Sequence, residues 1–302
     1  MKFVQMSKRV LLFLTVNILV IATITIVLSL FGVRHRIGDG NYTNLLVFCS
    51  VWGMGGAFIS LAMSRVMAKW FMGVKVIDPN TEDPTQRNLL EMVYGFAQSA
   101  RLPERPQVGI YDSPEINAFA TGPTKARSLV AVSTGLLRSM NREQVEGVVA
   151  HEVAHIANGD MVTMTLIQGI INALVMFIAR ILAFAVSQAL RSRDDRGGGY
   201  MMQFILVMVF QTLLSILGAL VVNWFSRWRE FRADAGGARY AGKEQMISAL
   251  RGLQRVYEHT IEDKHAPSLN TLKISGKTSG MMRLFSTHPP LEERIARLEQ
   301  LR

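Results

Sequence analysis

A single cysteine, Cys49, stands among 302 residues, which excludes an intramolecular disulfide. It lies inside an apolar block, a poor setting for a thiol nucleophile or a thiolate metal ligand. This suits a catalytic domain held in a reducing compartment. Charge is missing from long stretches: Val10 to Val33, Gly40 to Ser64 and Met201 to Ser226 carry none, and Met161 to Leu190 carries only Arg180. Stretches of that length can cross a bilayer. With 49% hydrophobic residues and a mean hydropathy of +0.23, the composition excludes an ordinary soluble enzyme. It indicates an integral membrane protein, mostly α. The net charge of +10 is better explained by basic residues flanking spans than by nucleic acid, which is not expected as a partner.

The blocks define four segments: an N-terminal transmembrane hairpin (1–64), a polar segment (65–160), a second pair of membrane-embedded helices (161–226) and a second polar segment (227–302). A cleaved signal peptide competes for the first block. Its apolar core would be shorter, and no small-x-small cleavage site follows cleanly. Gly53, Gly55 and Gly56 permit close helix approach in the second block. Basic residues at the N-terminus (Lys2, Lys8, Arg9) and after the second span (Arg65, Lys69, Lys75) place the polar segments on the cytoplasmic side. Arg180 in mid-bilayer would cost about 2.5–3.5 kcal/mol, so it belongs near a headgroup layer or against another helix. A buried, non-spanning hairpin competes for 161–226, and the Arg191 to Gly199 stretch reads as its linker.

Within the polar segments, 84–100 reads as an amphipathic helix, and 107–111, 116–121 and 128–133 as short strands between turns. Residues 135–140 form a short helical turn. Asn141 caps the next helix, with Gln144 in capping-box position. Asn158-Gly159-Asp160 either interrupts that helix or bends it. Further helices are expected at 227–240, 244–257 and 291–301, with a loop over 264–280.

Histidine is scarce, at six residues, yet two of them stand four apart in His151-Glu152-Val153-Ala154-His155. On a helix this spacing puts both imidazoles on one face, where they can grip one metal ion. Glu152 then sits beside that ion, placed to deprotonate a water. A catalytic zinc site needs a third protein ligand and one open position. The extended motif with a glycine and a third histidine is excluded, because Asn158 and Met161 occupy those positions. Glu230 is the best candidate, with Asp234 one turn on to accept a hydrogen bond from a ligand histidine. The alternative is a surface pair answering Arg227, Arg229 and Arg232.

The chain resembles the HtpX family, bacterial membrane-bound zinc metalloproteases related to the type I CAAX prenyl proteases. The resemblance runs over essentially the whole chain. It rests on Ile116-Asn117-Ala118-Phe119-Ala120-Thr121-Gly122, the ten residues from His151 to Asp160, Arg229-Glu230-Phe231-Arg232-Ala233-Asp234 and Thr287-His288-Pro289-Pro290-Leu291. It implies a gluzincin-type metalloprotease domain of active-site helices plus a small β-sheet. It implies one Zn2+ per chain on His151, His155 and Glu230, with Glu152 as general base. It brings His288 and Arg294 towards the site, either of them a donor to the oxyanion. It makes Asn117, Ala118, Phe119 and Ala120 a substrate-binding edge strand. The implied function is endopeptidase quality control of misfolded or damaged membrane proteins at a bacterial cytoplasmic (inner) membrane, multi-pass, with the catalytic domain facing the cytoplasm. The competing functions are prenyl-peptide processing and a non-catalytic zinc-bearing scaffold.

Overall fold

The computed structural model describes residues 42–190, 199–262 and 286–301. The first expected span and the 264–280 stretch lie outside them, as does all but Gly199 of the expected 191–199 linker. The described residues are mostly helical. They divide into two compact units, one within 1–60 and 165–219, the other within 61–164 and 220–302.

Among the described residues, three helices are long and apolar enough to cross a membrane: α1 (Tyr42–Phe71), α5 (Asp160–Ala189) and α6 (Gly199–Ala241). In the first unit, Gly53 of α1 meets α5 so closely that a Cβ there would fall 2.5 Å from the backbone nitrogen of Ala173. Arg180 of α5 lies over the Phe48 ring of α1, with 5.6 Å to the centroid. It therefore faces another helix, one of its two expected settings.

The second unit is built on a four-stranded sheet. Strands β1 (Lys75–Val76), β2 (Gln107–Tyr111), β3 (Ala118–Thr121) and β4 (Leu129–Ser133) lie in the order β1-β2-β4-β3. β2 and β4 are parallel, and the two outer pairs are antiparallel. β4 is fully buried, and four of its five residues (Leu129, Val130, Ala131 and Val132) make the near-continuous apolar run of a central strand. β3 is an edge, pairing from Ala118 opposite Val132 to Thr121 opposite Leu129. The Ser133 N–H extends this ladder by donating to the Asn117 carbonyl.

Helix α2 (Pro84–Ser99) starts at Asp83, whose carboxylate accepts from the N–H groups of Thr85 and Gln86, with proline at the first helical position. Its Leu89 and Val93 pack with Val108, Val130 and Val132 of the sheet and with Val149 and Val153 of α4 (Arg142–Asn158). After β4 comes the short α3 (Thr134–Ser139). On the other side of α4 lies α7 (Lys243–Glu262), whose Met246 and Leu250 pack on Leu291 and Leu298 of α8 (Leu291–Gln300).

The structure corrects one boundary. The apolar stretch 201–226 and the polar stretch 227–240 form one helix of 43 residues. The change at Arg227 is one of side-chain polarity, not of backbone preference, since arginine and glutamate are good helix formers.

Candidate metal centre

Helix α4 begins with the expected capping box: Gln144 N–H donates to Asn141 Oδ1 at 3.0 Å, and Asn141 N–H to Gln144 Oε1 at 3.2 Å. It ends at Gly159, whose φ of 72° lies in the left-handed region. Helix α5 starts at the next residue. The stop between the two helices swings Asp160 back, so its Oδ2 lies 2.6 Å from Nδ1 of His155.

His151 and His155 are both buried, and their Nε2 atoms face each other at 3.1 Å. Glu230, only 1% exposed, completes a triangle: Oε2 is 3.4 Å from His151 Nε2, and Oε1 is 3.4 Å from His155 Nε2. Ligands 2.0–2.2 Å from one tetrahedral ion stand roughly 3.3–3.6 Å apart; the two 3.4 Å sides fall in that range and the 3.1 Å side just short of it, so the triangle is close to the spacing a metal ion needs. The far ring nitrogens support that reading. Nδ1 of His155 meets Asp160, and Nδ1 of His151 lies 3.0 Å from Asp234 Oδ1, though off a straight hydrogen-bond line. Carboxylates there hold the ring protons on Nδ1 and leave the Nε2 lone pairs pointing at the shared centre. Among the described residues, His151, His155 and Glu230 are the one cluster of this kind.

Glu230 and Asp234 reach the centre because α6 lies close against α4. A Cβ on Gly236 would fall 2.6 Å from the Cβ of Ala154. Asp234 is held in turn by Arg294 of α8, which donates from Nε to Oδ2 (2.8 Å) and from Nη2 to Oδ1 (2.6 Å). Arg297 lies over the Phe231 ring and Lys243 donates to the carbonyls of Glu299 and Leu301, which pins α8 in place.

Burial alone would push both histidines towards the neutral form. The carboxylates outweigh it: Asp234 and Glu230 raise His151 to about 9, and Asp160 and Glu230 raise His155. Burial likewise opposes the charge on Arg294, but Asp234 keeps it protonated and raises it further.

The structure brings His151, His155, Glu230, Asp234, His288 and Arg294 together. His288 Nε2 is 3.7 Å from Glu230 Oε2, and Arg294 Nη2 is 3.8 Å from the same oxygen. Glu152 follows His151 on α4 and is partly exposed. Asn117 is exposed, and Ala118, Phe119 and Ala120 form the edge strand beside α4. Two contacts escaped the sequence reading. In the sequence Asp160 reads only as part of a helix breaker. Arg229, set aside as a possible surface partner, donates from Nη2 to Glu230 Oε1 at 3.1 Å within the site.

The profile of peptidase family M48 matches residues 83–302. The chain belongs to that family. A Protease HtpX homolog of Bacillus pumilus is 53% identical over 303 residues, covering 97% of this chain and 99% of the relative. The homolog of Bacillus subtilis is 50% identical over the same shares. Protease HtpX of Idiomarina loihiensis is 48% identical over 295 residues, 98% of this chain and all of that one. The crystal structure of S. mikatae Ste24p is similar in fold, with a TM-score of 0.64 at 17% identity over 98% of this chain. This M48 chain spans 65% of the length of that structure. The chain is thus a membrane metalloprotease, and the His-His-Glu cluster is where an M48 peptidase of this sequence could hold its metal.

Proposed function

We propose that this M48 peptidase is a zinc endopeptidase that cuts misfolded or damaged membrane proteins, with its catalytic unit on the cytoplasmic side of a bacterial inner membrane. The observation that carries the reading is the triangle of His151, His155 and Glu230 donors, each histidine backed by a carboxylate. Two imidazoles and one carboxylate, which leave the fourth position of a tetrahedral ion to a water, are a donor set of catalytic zinc. Zinc there supplies Lewis acidity and brings the pKa of a water to about 7.

The remaining work falls to side chains. Glu152 takes the proton of the attacking water and passes it to the leaving amine. His288, on the less enclosed side of Glu230, donates a hydrogen bond to the carbonyl oxygen as it gains charge. Arg294 spends its guanidinium on Asp234, which favours a positioning role over an oxyanion contact. An extended substrate adds to the β3 edge through the backbone of Asn117, Ala118, Phe119 and Ala120. Main-chain pairing tolerates many sequences, which suits damaged substrates.

The test is Glu152→Gln in the full chain, reconstituted with an unfolded membrane protein. Zinc content should stay at one per chain while cleavage falls at least about 100-fold. Cleavage at the native rate would falsify the assignment of the base.

A further inference from the structure

Helix α6 presents two opposite faces along the same few turns. Ser226, Glu230 and Asp234 are buried. Val221, Trp224 and Trp228 are exposed, the two indoles at 64% and 46%. Positions 221, 224 and 228 are spaced three and four apart, so they form one row. The row continues at the same spacing from Leu213 and Leu217, earlier in the same helix. Residues 228 and 230 are two apart, about 200° round the axis, so the row lies opposite the metal-binding face.

Large exposed apolar side chains mark a contact surface. The chemistry of this one changes along its length. It is aliphatic through Val221, then indole at Trp224 and Trp228, then guanidinium where Arg232 lies over the Trp228 ring at 4.9 Å. The last turns of α1 carry the same kinds of side chain, exposed Val66, Lys69 and Trp70, the indole 82% exposed, without the same order. Hydrocarbon, then an amphipathic ring, then a cation is the sequence of layers from acyl chain to phosphate at a bilayer surface. A protein partner would not call for that order along α6, nor for a second exposed indole beside a lysine at the end of α1, each helix being continuous with a membrane-length apolar stretch.

We propose that Trp224, Trp228 and Arg232, with Trp70, seat the catalytic unit in the phospholipid headgroup layer, and that the metal centre lies level with that layer. At about 1.5 Å per residue, Glu230 stands ~9 Å beyond Trp224 and ~3 Å beyond Trp228 along α6. Tilt of the helix only shortens those depths. The bond to be cut then lies within about 10 Å of the membrane surface. Such a site selects chain segments as they leave the bilayer, over unfolded chains free in water. The inference rests on the proposed function for its substrate, but its depth is independent of Glu152.

The experiment uses the full chain in phosphatidylcholine–phosphatidylglycerol vesicles, with Trp224 as the one tryptophan (W52F, W70F, W228F) and lipids brominated at defined acyl positions. Bromines nearest the headgroup should quench Trp224 most strongly, and deeper ones progressively less. Quenching by aqueous acrylamide without any by bromine would overturn the proposal, as would protection from both by a second copy or a protein partner. Metal content reports whether the variant has folded. Should it not fold, W224F alone, compared with the native chain, must lose quenching by the shallow bromines. An unchanged signal there also overturns the proposal. A wrong assignment of Glu152 would leave every one of these readings as they are, so the two failures are distinguishable.

Discussion

Asp234 and Arg294, sixty residues apart, meet through two hydrogen bonds of 2.8 and 2.6 Å in a buried pair. Asp234 also lies 3.0 Å from Nδ1 of His151. Helix α8 therefore reaches the metal centre chiefly through the carboxylate of Asp234, with Arg294 Nη2 also 3.8 Å from Glu230 Oε2. Arg294→Ala leaves that carboxylate buried without its cation, at a cost of about 3–5 kcal/mol. Metal affinity should fall roughly 10- to 100-fold, measured by chelator competition. Arg294→Lys keeps the charge but not the fork, so it should recover only part of the loss. Native affinity in Arg294→Ala would detach α8 from the metal centre.

Asp160 orients His155 as Asp234 orients His151. Asp160→Asn is expected to weaken metal binding by roughly 10- to 100-fold while leaving the helices intact by circular dichroism. An unchanged affinity would mean that the 2.6 Å contact does not fix the ring.

Metal uptake should release protons. With its pKa raised to about 9, His151 is protonated at neutral pH in the metal-free protein, and an ion must displace that proton. Affinity should rise with pH up to about 9 and then flatten. The same shift acts on stability. A raised histidine pKa stabilises the metal-free fold fully below 6.5, and that contribution is lost as pH rises to about 9. Calorimetry of metal binding in buffers of different ionisation heat counts the protons. A count of zero at pH 7 contradicts the charge state.

Gly236 lets α6 lie against α4, since any Cβ would collide with Ala154. Gly236→Val should cost about 1–3 kcal/mol by overpacking and push Glu230 and Asp234 off the histidines. The expected signature is lost metal with helix content retained. A variant that binds metal as the native chain does would show that the approach can relax without cost.

Much of this was legible because it is local. The capping box at Asn141 and Gln144 and the four-residue spacing of His151 and His155 are read within one or two turns, and the apolar blocks of α1, α5 and α6 are each one contiguous run. Strand β1 was not legible, because two residues carry no period and are set by pairing with β2. The join at Arg227 was misplaced because polarity and backbone conformation change independently. Asp160 reads as part of a breaker, since nothing in its type shows that a left-handed Gly159 turns it back on His155. Arg294 and Asp234 are far apart in sequence: spacing points to Asp234 and the resemblance to Arg294, and neither pairs them.

The account stands on one geometry: two histidines of α4 and a glutamate of α6 holding a single zinc ion still open to water. Anomalous scattering at the zinc edge, from crystals of the zinc-loaded protein, tests it most directly. A single peak should lie about 2.0–2.2 Å from Nε2 of His151, Nε2 of His155 and one oxygen of Glu230, with no fourth protein ligand. A peak away from Glu230, or an ion closed by four protein atoms, would contradict it.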